Sequence, residues 1–248
     1  MVGIKSAHEI ELMRKANAIV RDTLELVGKE IKAGMTTAQV DKLVYDYITS
    51  CGARPSFLGY DGFPASACVS INEEVVHGIP SPKRFIREGD IVSVDVGSIY
   101  MGYNGDAART FMIGQVSEEK KKLVEVTKQS FFEGIKVLKD GARLGDLGWA
   151  IQSYAESHGF SVVRALVGHG IGTDMHEDPS VPNYGTPGRG MRLKAGMTIA
   201  IEPMINAGTY DVKVLKDDWT VVTRDGRPSA HYENTVVITQ DGCEILSL

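Results

Sequence analysis

Apolar residues recur at helical spacing near the start of the chain. Ile10, Met13, Val20, Leu24, Val27 and Ile31 fall roughly along one side, with charged residues between them. Ser6 followed by Glu9 forms a capping box, in which each side chain satisfies the other residue's free backbone N–H. The pattern predicts a helix ended by Gly34. Thr36 and Gln39 form a second box and open a helix that stops near Gly52. From about Cys68 to Ile113 the apolar runs shorten, and segments such as IVSVDVG predict strands. Ser117 caps a long helix toward Gly141, and a further helix runs to Gly159. The remainder is again β-rich, with the runs MTIAIEPMI and NTVVITQ.

The order helix, helix, sheet, then helix, helix, sheet suggests a duplication. Segment 31–52 aligns without gaps on segment 138–159, with identical Lys, Gly, Tyr, Ser and Gly. The same offset of 107 residues aligns REGDIVSVD (87–95) on KAGMTIAIE (194–202), and superposes Asp95 on Glu202. Chance similarity between helix ends and strand starts is the alternative. One shift serving two distant segments favours two related α/β halves, about 31–115 and 138–248, inside a single domain spanning 1–248.

Composition narrows the setting. With 248 residues, 43% of them apolar, the chain can bury a sizeable core. A formal charge of -5 gives no electrostatic reason to expect DNA, RNA or anionic lipid as a partner. No apolar run approaches the roughly 18 residues that span a bilayer, and the opening MVGIKSAHEIELMRK lacks the apolar core of a signal peptide. Cys51, Cys68 and Cys243 are few, odd in number and without CxxC spacing. A reducing, cytoplasmic location is expected.

The chemistry lies in the carboxylates. DIVSVDVGSIYMGYNGDAART reads as a hairpin with Met101-Gly102 as its tight turn. A two-residue loop there sets Asp106 opposite Gly97, on the face that Asp95 shares, so the two carboxylates become diagonal neighbours. A loop one residue longer would put them on opposite faces. An inward Asp95 inside an apolar strand is costly unless compensated, and Arg109 or backbone donors could satisfy it. In the second half Glu202 follows MTIAI and Glu233 precedes TVVI. If a pseudo-twofold axis relates the halves, Asp95 and Glu202 meet across it, with Asp106 and Glu233 beside them. Four crowded carboxylates repel unless cations neutralise them. His169, in VGHGIG, can add an imidazole nitrogen, and such a donor set suits a pair of divalent ions. Two ions bridged by carboxylates can activate a water and polarise a carbonyl.

VSVDVG, GYNGDAART, GHGIG, AIEPMI and HYENTV, in this order, resemble the five ligand segments of the methionine aminopeptidases. The resemblance covers essentially the whole chain. It implies the α+β pita-bread fold, two pseudo-twofold-related halves with a curved antiparallel sheet covered by helices. Carried over residue by residue, Asp95 would chelate one metal, Asp106 and Glu233 would bridge both, and His169 and Glu202 would complete the other site. Two divalent ions are implied: cobalt, manganese, iron, zinc or nickel. His77 (VVHGIP) and His176 (MHEDP) would hydrogen-bond substrate, and Glu202 would shuttle a proton from a hydroxide bridging the metals. The methionine pocket would comprise Phe57, Tyr60, Phe63, Cys68, His77, Met175, His176 and Trp219. Cys68 is expected as a wall residue, His8 as a surface residue, and His158 at a helix C-terminus. His231 has no matching ligand role.

The implied activity is removal of the initiator methionine from nascent polypeptides with a small second residue, by a monomer making at most transient ribosome contact. The chain matches the short bacterial type I form, without an N-terminal cysteine/histidine extension or a type II insertion after His169. Two rival readings are an X-Pro aminopeptidase or prolidase, and a non-enzymatic binding module on the same fold. The rival peptidases usually carry an extra N-terminal domain, and binding modules resemble peptidases that have lost ligands.

Overall fold

A computed structural model describes residues 3–248. Helix α1 spans Ala7–Glu30 and opens on the expected box, with the Ser6 and Glu9 side chains each bonding the other's backbone N–H. It ends four residues before Gly34. Ile31 is already extended, and the chain turns away so that Gly34 donates to the Ile86 carbonyl and Met35 accepts from Ile86. Helix α2 spans Thr37–Ser50 behind the Thr36–Gln39 box. Helix α3, Glu118–Ile135, stops short of Gly141 because the chain must turn Leu138 into the core beside helix α4, Leu144–Ser157. His158 caps α4, its Nδ1 lying 2.8 Å from the Tyr154 carbonyl.

Helices α1 and α2 cover a sheet whose long central strand, Ile91–Tyr100, pairs with Tyr103–Met112 on one side. Its other side pairs with Ala67–Ile71 and Arg54–Pro55. Val92, Val94 and Val96 pack on Val20, Leu24, Val40 and Val44. Strand alternation therefore turns Ser93, Asp95 and Gly97 to the other face. The hairpin turn is Met101-Gly102, both with positive φ (48° and 85°), and the register sets Gly97 opposite Asp106 and Asp95 opposite Ala108. The diagonal carboxylate pair follows from that two-residue loop.

Helices α3 and α4 cover a five-stranded sheet in the order 243–245, 234–238, 198–201, 168–170, 177–181. Phe131, Leu147 and Ile151 meet Ile199, Ile201 and Val236, so Glu202 leaves its strand on the face away from the helices, as Asp95 does. Helices α2 and α4 are offset by 107 residues at both ends, and the lone bridges Thr36–Phe85 and Arg143–Arg192 share that offset.

MTIAIEPMI is not one strand. Thr198–Ile201 belongs to the five-stranded sheet, whereas Met204–Asn206 pairs with Ser229–His231 and Ser161–Val162. Pro203 has no N–H to continue the ladder. The partner strand breaks at the same level, between His231 and Asn234. Glu202 and Glu233 sit at these two breaks, where neither is held flat in a sheet.

Candidate metal centre and active site

The break at Glu233 also joins the two halves. Its N–H donates to the Ala108 carbonyl at 3.0 Å, and its carbonyl accepts from Ala108 and from the Arg109 guanidinium. Because Ala108 is itself opposite Asp95, the backbones carrying Asp95, Asp106 and Glu233 are held side by side. Arg109 does not satisfy Asp95. It is spent on the Ala108, Glu233 and Ser247 carbonyls and the Asn234 amide, over the Tyr232 ring.

His169 reaches the carboxylates from the short strand Gly168–Gly170, opposite Ala200. Its glycine neighbours are required: a Cβ at Gly168 would lie 2.3 Å from the Ala200 oxygen, and one at Gly170 would lie 2.1 Å from the Asp178 oxygen. His169 Nδ1 sits 2.8 Å from the Gly170 carbonyl, so it carries the proton and leaves the Nε2 lone pair facing the cluster. That nitrogen is 3.6 Å from both Asp106 Oδ2 and Glu202 Oε1.

The electrostatics demand cations. Burial and mutual repulsion push the Asp106, Glu202 and Glu233 carboxyls well above the ordinary range, and burial raises Asp95 to about 7. Burial pushes His77 and His169 down to about 4. Asp95 Oδ1, Asp106 Oδ1 and Glu233 Oε1 are buried with no hydrogen-bond partner. Orphaned anionic oxygens at this density are the signature of a metal site rather than of a structural network. Two groups have donor atoms within 4.8 Å of one another: Asp106, His169 and Glu233, and Asp95, His231 and Glu233. The donor set therefore fits two divalent ions, with Glu233 common to both groups.

Every residue assigned to the metal centre or the methionine pocket from the sequence lines one cavity of about 160 Å³. Its floor carries Asp95, Asp106, His169, Glu202 and Glu233, and its walls carry Phe57, Tyr60, Phe63, Cys68, His77, Met175, His176 and Trp219. Phe63 and Trp219 meet edge to face at 5.1 Å. Cys68 is a wall group: burial and the nearby Asp95 push its thiol well above its ordinary range, which rules out a ready thiolate nucleophile. His77 has positive φ (59°), a strained conformation that aims its ring at the cavity. His8 is exposed, on the first turn of α1.

Sequence reasoning missed two residues. Asp61 joins the cavity rim, with no local signal to single it out. His231 is 1% exposed, and its unpartnered Nε2 lies 3.8 Å from both Glu202 Oε2 and Glu233 Oε2. Its place two residues before Glu233 was the available clue.

The fold and this centre define a binuclear metallohydrolase. Residues 11–240 match the model of metallopeptidase family M24. The methionine aminopeptidase of Clostridium acetobutylicum is 59% identical over 248 residues, covering 100% of this chain and 99% of that protein. The crystal structure of methionine aminopeptidase from Rickettsia prowazekii superposes with a TM-score of 0.98 at 46% identity, covering 100% of both chains. The prolidase from Pyrococcus furiosus is more distant, with a TM-score of 0.79 and 25% identity over 99% of this chain and 65% of its own. The chain belongs to the M24 metallopeptidases, in their methionine aminopeptidase branch, and has the pita-bread fold.

Proposed function

We infer that this chain hydrolyses the N-terminal methionine from polypeptides whose second residue is small, and that nascent chains are its substrates. The observation that carries the reading is the joining of a buried carboxylate cluster to an apolar, sulfur-containing cavity in one cleft. In this reading Asp106 and Glu233 would be shared by two divalent ions, Asp95 would help to hold one of them, and His169 and Glu202 the other. The two ions, when bound, polarise the scissile carbonyl and lower the pKa of water at the centre.

The chain's own groups do the rest. Phe57, Phe63, Met175 and Trp219 receive the flexible thioether, which packs well on ring edges. His77 and His176 are both held neutral by burial and act as N–H donors where negative charge develops on the carbonyl oxygen. Glu202, whose proton affinity is raised by burial beside Glu233 and Asp95, carries a proton to the leaving amine. The substrate's free α-amine sits near the carboxylates, so a formylated end is refused.

The 107-residue offset shared by α2, α4 and the two lone bridges supports one catalytic domain made of two related halves, about 31–115 and 138–248. Three free cysteines support a cytoplasmic setting, and the mild net charge supports the absence of a DNA or membrane partner; a monomer with transient ribosome contact is proposed from the family alone. No helix among the described residues is long and apolar enough to cross a membrane.

Incubation of the metal-loaded protein with Met-Ala-Ser, formyl-Met-Ala-Ser and Leu-Ala-Ser tests the reading. Methionine should leave the first rapidly and the second hardly at all. Leu-Ala-Ser should be slower, because a missing contact in an apolar pocket costs about 1–3 kcal/mol. Equal cleavage of all three would overturn it.

A further inference from the structure

The Tyr60 hydroxyl oxygen lies 2.8 Å from His176 Nδ1, and the two rings meet edge to face at 5.1 Å. On its other side the His176 ring stands against His169, at 4.3 Å between centroids. Tyr60 is delivered to this position by a turn closed on itself. Gly59 donates to the Phe63 carbonyl, Phe63 donates to Tyr60, and Tyr60 donates to Phe57. Gly59, Asp61 and Gly62 all have positive φ, and for Asp61 (48°) that is a strained conformation.

Both loops are tied to one buried side chain. Asn104, 2% exposed, accepts from Ser56 Oγ at the base of the Tyr60 loop. Its amide nitrogen donates to the Gly172 and Thr173 carbonyls at the base of the His176 loop. The Phe57–Phe63 loop is also pinned to the strand of Asp95, through Ser56 N–H to the Gly97 carbonyl at 2.9 Å. The Tyr60–His176 distance is therefore set by buried anchors on the hairpin that carries Asp106.

We propose that Tyr60 is a positioning residue that fixes the tautomer of His176. A phenol is a better proton donor than a neutral imidazole N–H, so the hydroxyl donates to Nδ1 and the ring proton resides on Nε2. His176 then presents a fixed N–H to the cavity, where a donor must stand ready for developing negative charge. Without the hydroxyl, both tautomers are populated, and only one of them has a proton to give. The inference rests on the functional reading above, in which His176 touches substrate.

The test is Tyr60→Phe, which keeps the ring. Zinc-loaded protein with ¹⁵N-labelled histidine is examined by long-range ¹⁵N–¹H correlation, the His176 signals being assigned by their loss in His176→Asn. Wild type should show a protonated Nε2 and a bare Nδ1, and Tyr60→Phe a mixed or reversed pattern with two zinc ions still bound. Turnover of Met-Ala-Ser by the variant should fall on the order of tenfold at nearly unchanged KM, against about 10²- to 10³-fold for loss of the donor itself. A purely structural role for Tyr60 would leave the tautomer pattern alone. A protonated Nδ1 in wild type, or an unchanged pattern and kcat in the variant, would overturn the proposal. The spectrum decides it even if wild type releases no methionine, an outcome that would sink only the functional reading.

Discussion

Asp106 lies directly across the hairpin from Gly97, and at Gly97 a side chain has no room. A Cβ there would stand 2.8 Å from the Phe57 ring and 2.9 Å from Ser56 Cβ. The glycine lets Phe57, a wall of the cavity, lie on the strand that carries Asp95. Gly97→Ala should displace Phe57 and cost about 1–3 kcal/mol of stability, as overpacking does. Urea unfolding reads the loss of stability, and a rise in KM larger than the fall in kcat reads the displacement of Phe57. Unchanged stability and KM would refute the packing argument.

Asp106→Asn removes one charge from the centre while keeping its shape. Bound metal, counted by elemental analysis after dialysis, should fall below two ions per chain, and most turnover should be lost. His77→Ala and His176→Ala should keep both ions and lose about 10²- to 10³-fold in kcat, as removal of an oxyanion donor does. Metal loss in either histidine variant would place that residue among the ligands.

In the proposed reading Glu202 both holds metal and carries a proton, so Glu202→Gln should lose at least the about 10²- to 10⁴-fold typical of a general acid–base group. Retention of more than a tenth of wild-type kcat with full metal content would remove Glu202 from the proton path.

His231 backs the centre from within the core, 3.8 Å from two carboxylates. Groups that support metal ligands in this way contribute about 10- to 100-fold in metal affinity. His231→Leu should weaken at least one step of a calorimetric cobalt titration by that factor. Two unaltered binding steps would show that His231 is only packing.

The site is most legible in the sequence where its residues lie close together along the chain. The two-residue loop at Met101-Gly102 and the pleat together place Asp95 and Asp106 on one face, and nothing beyond the hairpin is needed for that. The glycines Gly52 and Gly159 mark the ends of α2 and α4 only nearly, the helices stopping at Ser50 and Ser157. Helix ends were less legible: Glu30 and Ile135 end their helices because Ile86 and the core around Leu138 compete for the next residues. The break at Pro203 follows from its missing N–H, yet the run MTIAIEPMI reads as one strand until its partners are known. Asn104 was invisible, since its role depends on loops 48 and 68 residues away. So was the contact between Tyr60 and His176, which are 116 residues apart.

The stripped protein should show its frustration through pH. Asp106, Glu202 and Glu233 have folded pKa values well above their unfolded ones, and Asp95 is raised to about 7. Such groups hold more protons folded than unfolded, so their contribution is lost as pH rises. His77 and His169, lowered to about 4, and His231, lowered to about 3, work in the opposite sense, but only below their unfolded value near 6.5. Above about pH 6.5 the histidines no longer oppose the carboxylates, and the raised Cys68 thiol adds in the same sense near the top of the range. The Tm of chelator-treated protein should fall as pH rises from 6.5 to 8.5, and two bound divalent ions should abolish that slope. A flat profile without metal would show that the carboxylates are not crowded as described.

In the proposed function a two-ion carboxylate centre acts on the bond after an N-terminal methionine. Its most direct test is competition: stripped protein is titrated with manganese or cobalt in an equal mixture of Met-Ala-Ser and Ala-Pro-Ser, and both released amino acids are followed. Methionine release should rise with added metal, stop on chelation, and far exceed release of alanine. Preferential release of alanine would assign the chain to X-Pro cleavage, and no release with any metal would contradict the enzymatic reading altogether.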